Sequence, residues 1–131
     1  MIYRGSTAIA VARVSTKRQA QGDGFRRQFD GINEWCELQG IIVLDRVSLA
    51  SSAALPIARM IVEWKPVSDA CLAHQPEWIV FHELDRALRS LPASVWLYCL
   101  NDGKTGTLIA QPPSGGPPHA LFLPNRFQED D

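Results

Sequence analysis

Two short segments hold the side chains best able to do chemistry. The first is Arg13-Val14-Ser15-Thr16-Lys17-Arg18-Gln19. Arg13 and Ser15 are two residues apart, so on a strand they share a side. At a strand's carboxyl end, a guanidinium fork beside a hydroxyl can engage a phosphate. The arginine binds the oxygens and the serine can attack phosphorus. The second segment is Glu83-Leu84-Asp85-Arg86-Ala87-Leu88-Arg89. Arg86 and Arg89 are three apart and can share a helix face, giving two more cations beside the Asp85 carboxylate. Taken alone, each segment fits a plainer reading better. Arg13 is then a strand-end arginine reaching solvent, with Ser15 and Thr16 in an ordinary turn. Asp85 becomes a first-turn acid that suits the helix dipole.

The surrounding pattern indicates what positions these residues. Residues 7–14 are short and mostly apolar, as expected of a strand buried on both faces. Phe25, Phe29, Ile32, Cys36 and Gln39 recur at helical spacing, with Asp23 as a plausible N-cap and Gly40 as a stop. Gly31 inside that helix costs about 1 kcal/mol relative to alanine. Residues 41–44 predict a second buried strand and residues 47–56 a loop. Ile57, Met60, Ile61 and Trp64 share a helix face; Pro66 ends or kinks that helix, with a second piece over 67–74. Residues 78–81 predict the third strand. Leu84, Leu88, Leu91, Val95 and Cys99 then recur at helical spacing, and Pro92 is tolerable there only in a first turn. Residues 101–104 form a turn before a fourth strand at 107–110.

This β-α-β-α-β-α-β order predicts a three-layer α/β sandwich with a four-stranded, mostly parallel sheet. Ligands in such sheets sit beyond the carboxyl ends of the strands. That rule points to Ser15, to residues 46–52 and to residues 82–86. Residues 1–111 make the expected domain. Residues 112–131 are a Pro/Gly-rich linker and an acid-ended tail, expected to lack packing against the sheet.

Composition narrows the options. A chain of 131 residues suits one domain, and 46% hydrophobic residues exclude global disorder. No apolar run approaches the ~20 residues of a membrane span, and the first residues lack a signal-peptide core. Cys36, Cys71 and Cys99 are odd in number and widely spaced, which argues against a disulfide framework or a zinc site and fits a reducing cytoplasm. His74, His82 and His119 lack ligand spacing and read as structural or surface residues; Trp35, Trp64, Trp78 and Trp96 read as core. The net charge of −1 argues against indiscriminate nucleic-acid binding. Residues 1–29 nonetheless carry Arg4, Arg13, Lys17, Arg18, Arg26 and Arg27 against Asp23 alone, a local excess suited to an anion site.

Together the motifs resemble the catalytic domain of the resolvase/invertase family of serine site-specific recombinases. Arg13-Val14-Ser15-Thr16 and Gln19 match the family's first motif. Gly22-Asp23-Gly24-Phe25-Arg26-Arg27-Gln28 and then Trp35-Cys36 match the helix that follows. Asp45-Arg46-Val47-Ser48 compares with an Asp and a Ser-Gly-type loop, and Leu84-Asp85-Arg86-Ala87-Leu88-Arg89 with the motif after the third strand. The likeness spans about residues 7–110.

The resemblance implies a resolvase-like fold that cleaves and rejoins DNA. Ser15 would be the nucleophile, forming a 5′-phosphoseryl link and needing no cofactor or metal. Arg13, Arg86 and Arg89 would hold the scissile phosphate, Asp85 would carry a proton or orient an arginine, and Gln19 would position the nucleophile loop. DNA would be the partner, the intact family being homo-oligomeric and cytoplasmic, with no membrane association. Two departures stand out. The family's arginine after the Ser-Gly-type loop has no counterpart in residues 49–56, Arg59 being the nearest cation. The family's long helix and DNA-binding domain are replaced by the linker and acidic tail, as in a truncated or degenerate relative. Two alternatives therefore stay open: an inactive remnant that binds DNA or a recombinase subunit, and an unrelated α/β protein binding a small phosphate ligand.

Overall fold

The computed structural model describes residues 3–15, 22–51, 55–87, 90–111 and 119–125, with the side chain of Asp85 outside that set. Apolar runs and helical periods alternate along the chain as β1 (Thr7–Val14), α1 (Gly24–Gln39), β2 (Ile42–Ala50), α2 (Ile57–Glu63) and α3 (Lys65–His74). They continue as β3 (Trp78–Glu83), α4 (Leu84–Ala87), α5 (Leu91–Tyr98), β4 (Gly106–Gln111) and β5 (Ala120–Phe122). The sheet order is β2-β1-β3-β4-β5. The first four strands are parallel, and β5 runs antiparallel to β4.

Strand alternation sorts the core into two layers. Ala8, Ala10, Trp78, Val80 and Leu108 face α1, where Ile32 and Cys36 meet them. Ile9, Val11, Ile79 and Phe81 face the other way, against Met60 and Trp64 of the α2–α3 pair and Leu97 of α5. The chain therefore winds to one side of β1 and then to the other. The resulting switch point lies between β1 and β3, and its carboxyl edge is where a ligand is expected.

Several expectations need correction. The sheet has five strands, not four. The second strand is longer than expected, taking in residues 47–50 of the predicted loop, and it is an edge strand with Ile42 and Leu44 exposed. A register shift opposite Ala8 and Ile9 skips Leu44 and turns Val47 and Leu49 into the core. The helical period over 84–99 is divided: α5 starts afresh with Ser90 as N-cap, its hydroxyl accepting from the Ala93 amide, and Pro92 in the first turn. Gly40 closes α1 in the left-handed conformation, as expected, with φ 76°.

The unpacked tail is overturned for residues 119–125. Thr107 and Leu108 pair with Phe122 and Ala120. Leu121 and Phe122 join the core on the α2–α3–α5 side. The His119 ring stacks on Trp35 at 4.7 Å, and its Nδ1 donates to the Ile109 carbonyl at 2.7 Å. Residues 112–118 and 126–131 lie outside the described residues.

Candidate active site

The pairing of β1 with β3 ends at Val11 and Phe81, whereas its pairing with β2 runs on to Val14 and Ala50. Beyond Val11 the β3 side of β1 thus offers two peptide groups without a strand partner. Gln28 fills that position. Its Oε1 accepts from the Arg13 amide at 3.0 Å, and its Nε2 donates to the Arg13 carbonyl at 3.0 Å. The side-chain amide acts as one residue of missing strand, and it is fully buried there. No role was expected for Gln28. The signal was present, since Gln28, Ile32 and Cys36 step by four and form the buried line of α1. Phe25 and Phe29, expected on that face, are only half-buried.

Arg13 is 2% exposed, although it carries a charge. Burial of a guanidinium requires compensation. Its Nε donates to the Arg86 carbonyl at 2.8 Å and its Nη1 to the Ser51 carbonyl at 2.7 Å. One side chain thus ties the end of β1 to the residue after β2 and to α4 after β3. Ser51 also donates its amide to the Val14 carbonyl at 2.8 Å, extending the β1–β2 ladder to the edge. The plainer reading of Arg13 as an arginine reaching solvent does not hold.

Ser15 follows β1 directly and is exposed. Arg86 borders the same edge, half-buried, with its Nε enclosed and without a hydrogen-bond partner. Arg86 is thus a cation at this edge, with its Nε shielded from solvent. The edge therefore carries Arg13, bonded to the Arg86 carbonyl, and Ser15 two residues further along the chain. For Asp85, only its backbone place in α4 is described, one residue before Arg86. Gln19 and Arg89 fall outside the described residues. Arg59 sits on α2 and is engaged with Glu63, Nη2 to Oε2 at 2.8 Å. The two buried thiols are poor nucleophiles: burial pushes Cys36 up to about 12 and Cys71 up to about 11. Among the described residues no cluster of side chains could hold a metal ion, and no helix is long and apolar enough to cross a membrane.

The fold is that of serine recombinase catalytic domains. The N-terminal catalytic domain of TP901-1 integrase superposes with a TM-score of 0.61, at 22% identity over 79% of this chain and 77% of that one. A resolvase family site-specific recombinase from Streptococcus pneumoniae gives 0.62, at 12% identity over 80% and 72%. The C-terminal catalytic domain of ISC1926 TnpA, an IS607-like serine recombinase, gives 0.61, at 13% identity over 82% and 72%. No protein-family model and no curated protein matches the sequence.

Proposed function

We propose that this chain is a DNA strand-transfer domain of the serine recombinase type, with Ser15 as its nucleophile. The observation that carries the reading is the Arg13 bridge, which joins the β1 end to Ser51 and Arg86 at one edge of the sheet. In the reaction, the Ser15 oxygen bonds to a backbone phosphorus and the bond to the 3′ oxygen breaks. A 5′-phosphoseryl link and a 3′-hydroxyl result. The serine proton passes to a base, a role for Asp85, and the departing oxygen gains one. The phosphoester energy is retained, so rejoining by the reverse path needs no nucleotide cofactor. Arg86, the half-buried cation at that edge, would meet the developing phosphoryl charge. Arg89 would add a second cation, and Gln19 would position the nucleophile loop. DNA is the partner, and a second copy of the chain supplies the second strand cleavage.

One observation favours the remnant reading: Arg59, the nearest replacement for the missing loop arginine, is tied to Glu63. Covalent capture on a suicide DNA substrate separates the two readings. The chain is fused to a relative's DNA-binding domain to supply affinity. The recombinase reading requires a covalent adduct that Ser15→Ala abolishes and Arg86→Ala reduces about 10²–10³-fold, as for loss of one charge-stabilising donor. Binding without any adduct would establish the remnant instead.

A further inference from the structure

A cleft of about 650 Å³ opens at the carboxyl ends of β3 and β4, below α1. By strand alternation, its His82 faces α1, while Arg13 faces the opposite side of the sheet. His82 is 5% exposed. A β-carbon at Gly31 would stand 2.4 Å from its Nε2, so α1 can lie this close only with glycine there. On the other side of the ring, Nδ1 lies 3.3 Å from Glu83 Oε1 without an aligned hydrogen bond. The same oxygen receives Arg27 Nη1 at 3.4 Å. One carboxylate oxygen thus faces two claimants, one permanently charged and one titratable.

We propose that Arg27, Gly31, His82 and Glu83 form a proton-sensitive latch between α1 and the end of β3. With a neutral imidazole, Glu83 is left to Arg27, and α1 is held down at the end of its first turn. A proton on His82 draws the Glu83 oxygen to itself and places a cation beside Arg27. The next residue along, Gln28, carries the Arg13 peptide, so loosening this part of α1 reaches the candidate site. His82 is therefore a positioning residue, acting through Glu83, Arg27 and Gln28.

The sense of the pH dependence follows from the surroundings. Burial is the main influence and lowers the His82 pKa; the charge of Glu83 opposes it, and Arg27 and Arg86 reinforce it. From α1 the cleft also sees Arg26 and Asp30, 3.9 Å apart on the solvent side, with Asp23 and Glu34 beyond. A histidine whose folded pKa lies below its unfolded value of about 6.5 binds fewer protons when folded. Its contribution is complete above that value and is lost as pH falls through it towards the folded pKa. Each pH unit crossed costs up to about tenfold in the folded-to-unfolded ratio.

The test combines imidazole NMR titration, thermal unfolding from about pH 8 down to about pH 5, and amide exchange, on the whole chain and on His82→Phe. His74 and His119 are present in both proteins, so the difference isolates His82. The latch requires that His82 titrate below the unstructured value. The wild type must also lose stability towards acid by up to about tenfold per pH unit more than the variant. Corrected for intrinsic exchange, protection of the Arg13 amide should fall before that of Ile79. A wild-type pH dependence equal to the variant's, or a His82 titrating at or above the unstructured value, overturns the proposal. If His82→Phe does not fold, His82→Gln takes its place, and the wild-type titration and exchange still decide. None of these readouts involves DNA, so failure here and failure of the recombinase reading are separate results.

Discussion

Replacing Gln28 with leucine removes two hydrogen bonds while keeping most of the side-chain volume. In the native protein, the Gln28 amide is bonded to both the N–H and the C=O of Arg13 at 3.0 Å, in a fully buried position. The substitution leaves two peptide groups without partners, each costing about 1–3 kcal/mol. Water can reach the strand end once the edge loosens, so the expected total is about 2–4 kcal/mol. For a domain of this size, 1 kcal/mol shifts the melting temperature by roughly 3–5 °C. The drop should therefore be about 6–20 °C. Gln28→Ala should cost more, because a cavity is added to the same loss. Leu38→Ala, on the exposed face of α1, is the control and should stay within about 0.5 kcal/mol of the wild type. Thermal and urea unfolding give the stabilities, and exchange of the Arg13 amide reports the bond directly. If Gln28→Leu unfolds with the Leu38→Ala control, the side-chain amide does not substitute for a strand, and the account of how Arg13 is mounted fails.

Gly31→Ala should destabilise by about 1–3 kcal/mol despite the better helix propensity of alanine, because the new methyl meets the His82 ring; the penalty should shrink in the Gly31→Ala/His82→Ala double variant, measured by a double-mutant cycle. Deleting residues 112–131 should lower the melting temperature clearly, since it removes the β4–β5 pairing together with Leu121 and Phe122; an unchanged melting curve would mean that β5 contributes nothing.

The course of α1, its stop at Gly40 and the parallel βα order were legible because local signals determine them, whereas Asp23 precedes α1 without a capping hydrogen bond from its side chain. What the sequence hid was set by tertiary neighbours. An apolar run such as 41–44 looks the same in a central strand and an edge strand, and the β2-β1 order that exposes Ile42 is not a local property. The fifth strand carries little sequence signal, because Ala120–Phe122 is short and follows Pro/Gly-rich residues. By contrast, the break before α5 was visible in principle: Ser90 and Pro92 are ordinary signs of a new helix start. Of the candidate site, the chemical types were legible and the division of labour was not. Arg13 and Arg86 look interchangeable as cations in the sequence.

The structure separates them. Arg13 is buried with Nε and Nη1 on the carbonyls of Arg86 and Ser51, so its geometry is spent first on holding three segments together. Two carbonyls in different directions suit a planar fork and not the point charge of a lysine. Arg86 has the opposite arrangement: its backbone is held through its own carbonyl, while its Nε is enclosed with no partner. The side chain of one cation thus fixes the main chain of the other, and the solvent-shielded Nε of Arg86 must leave its enclosure before it can bond to an anion at the edge. The order of dependence then runs from Gln28 to Arg13 to Arg86, from helix α1 through β1 to the edge where Ser15 lies.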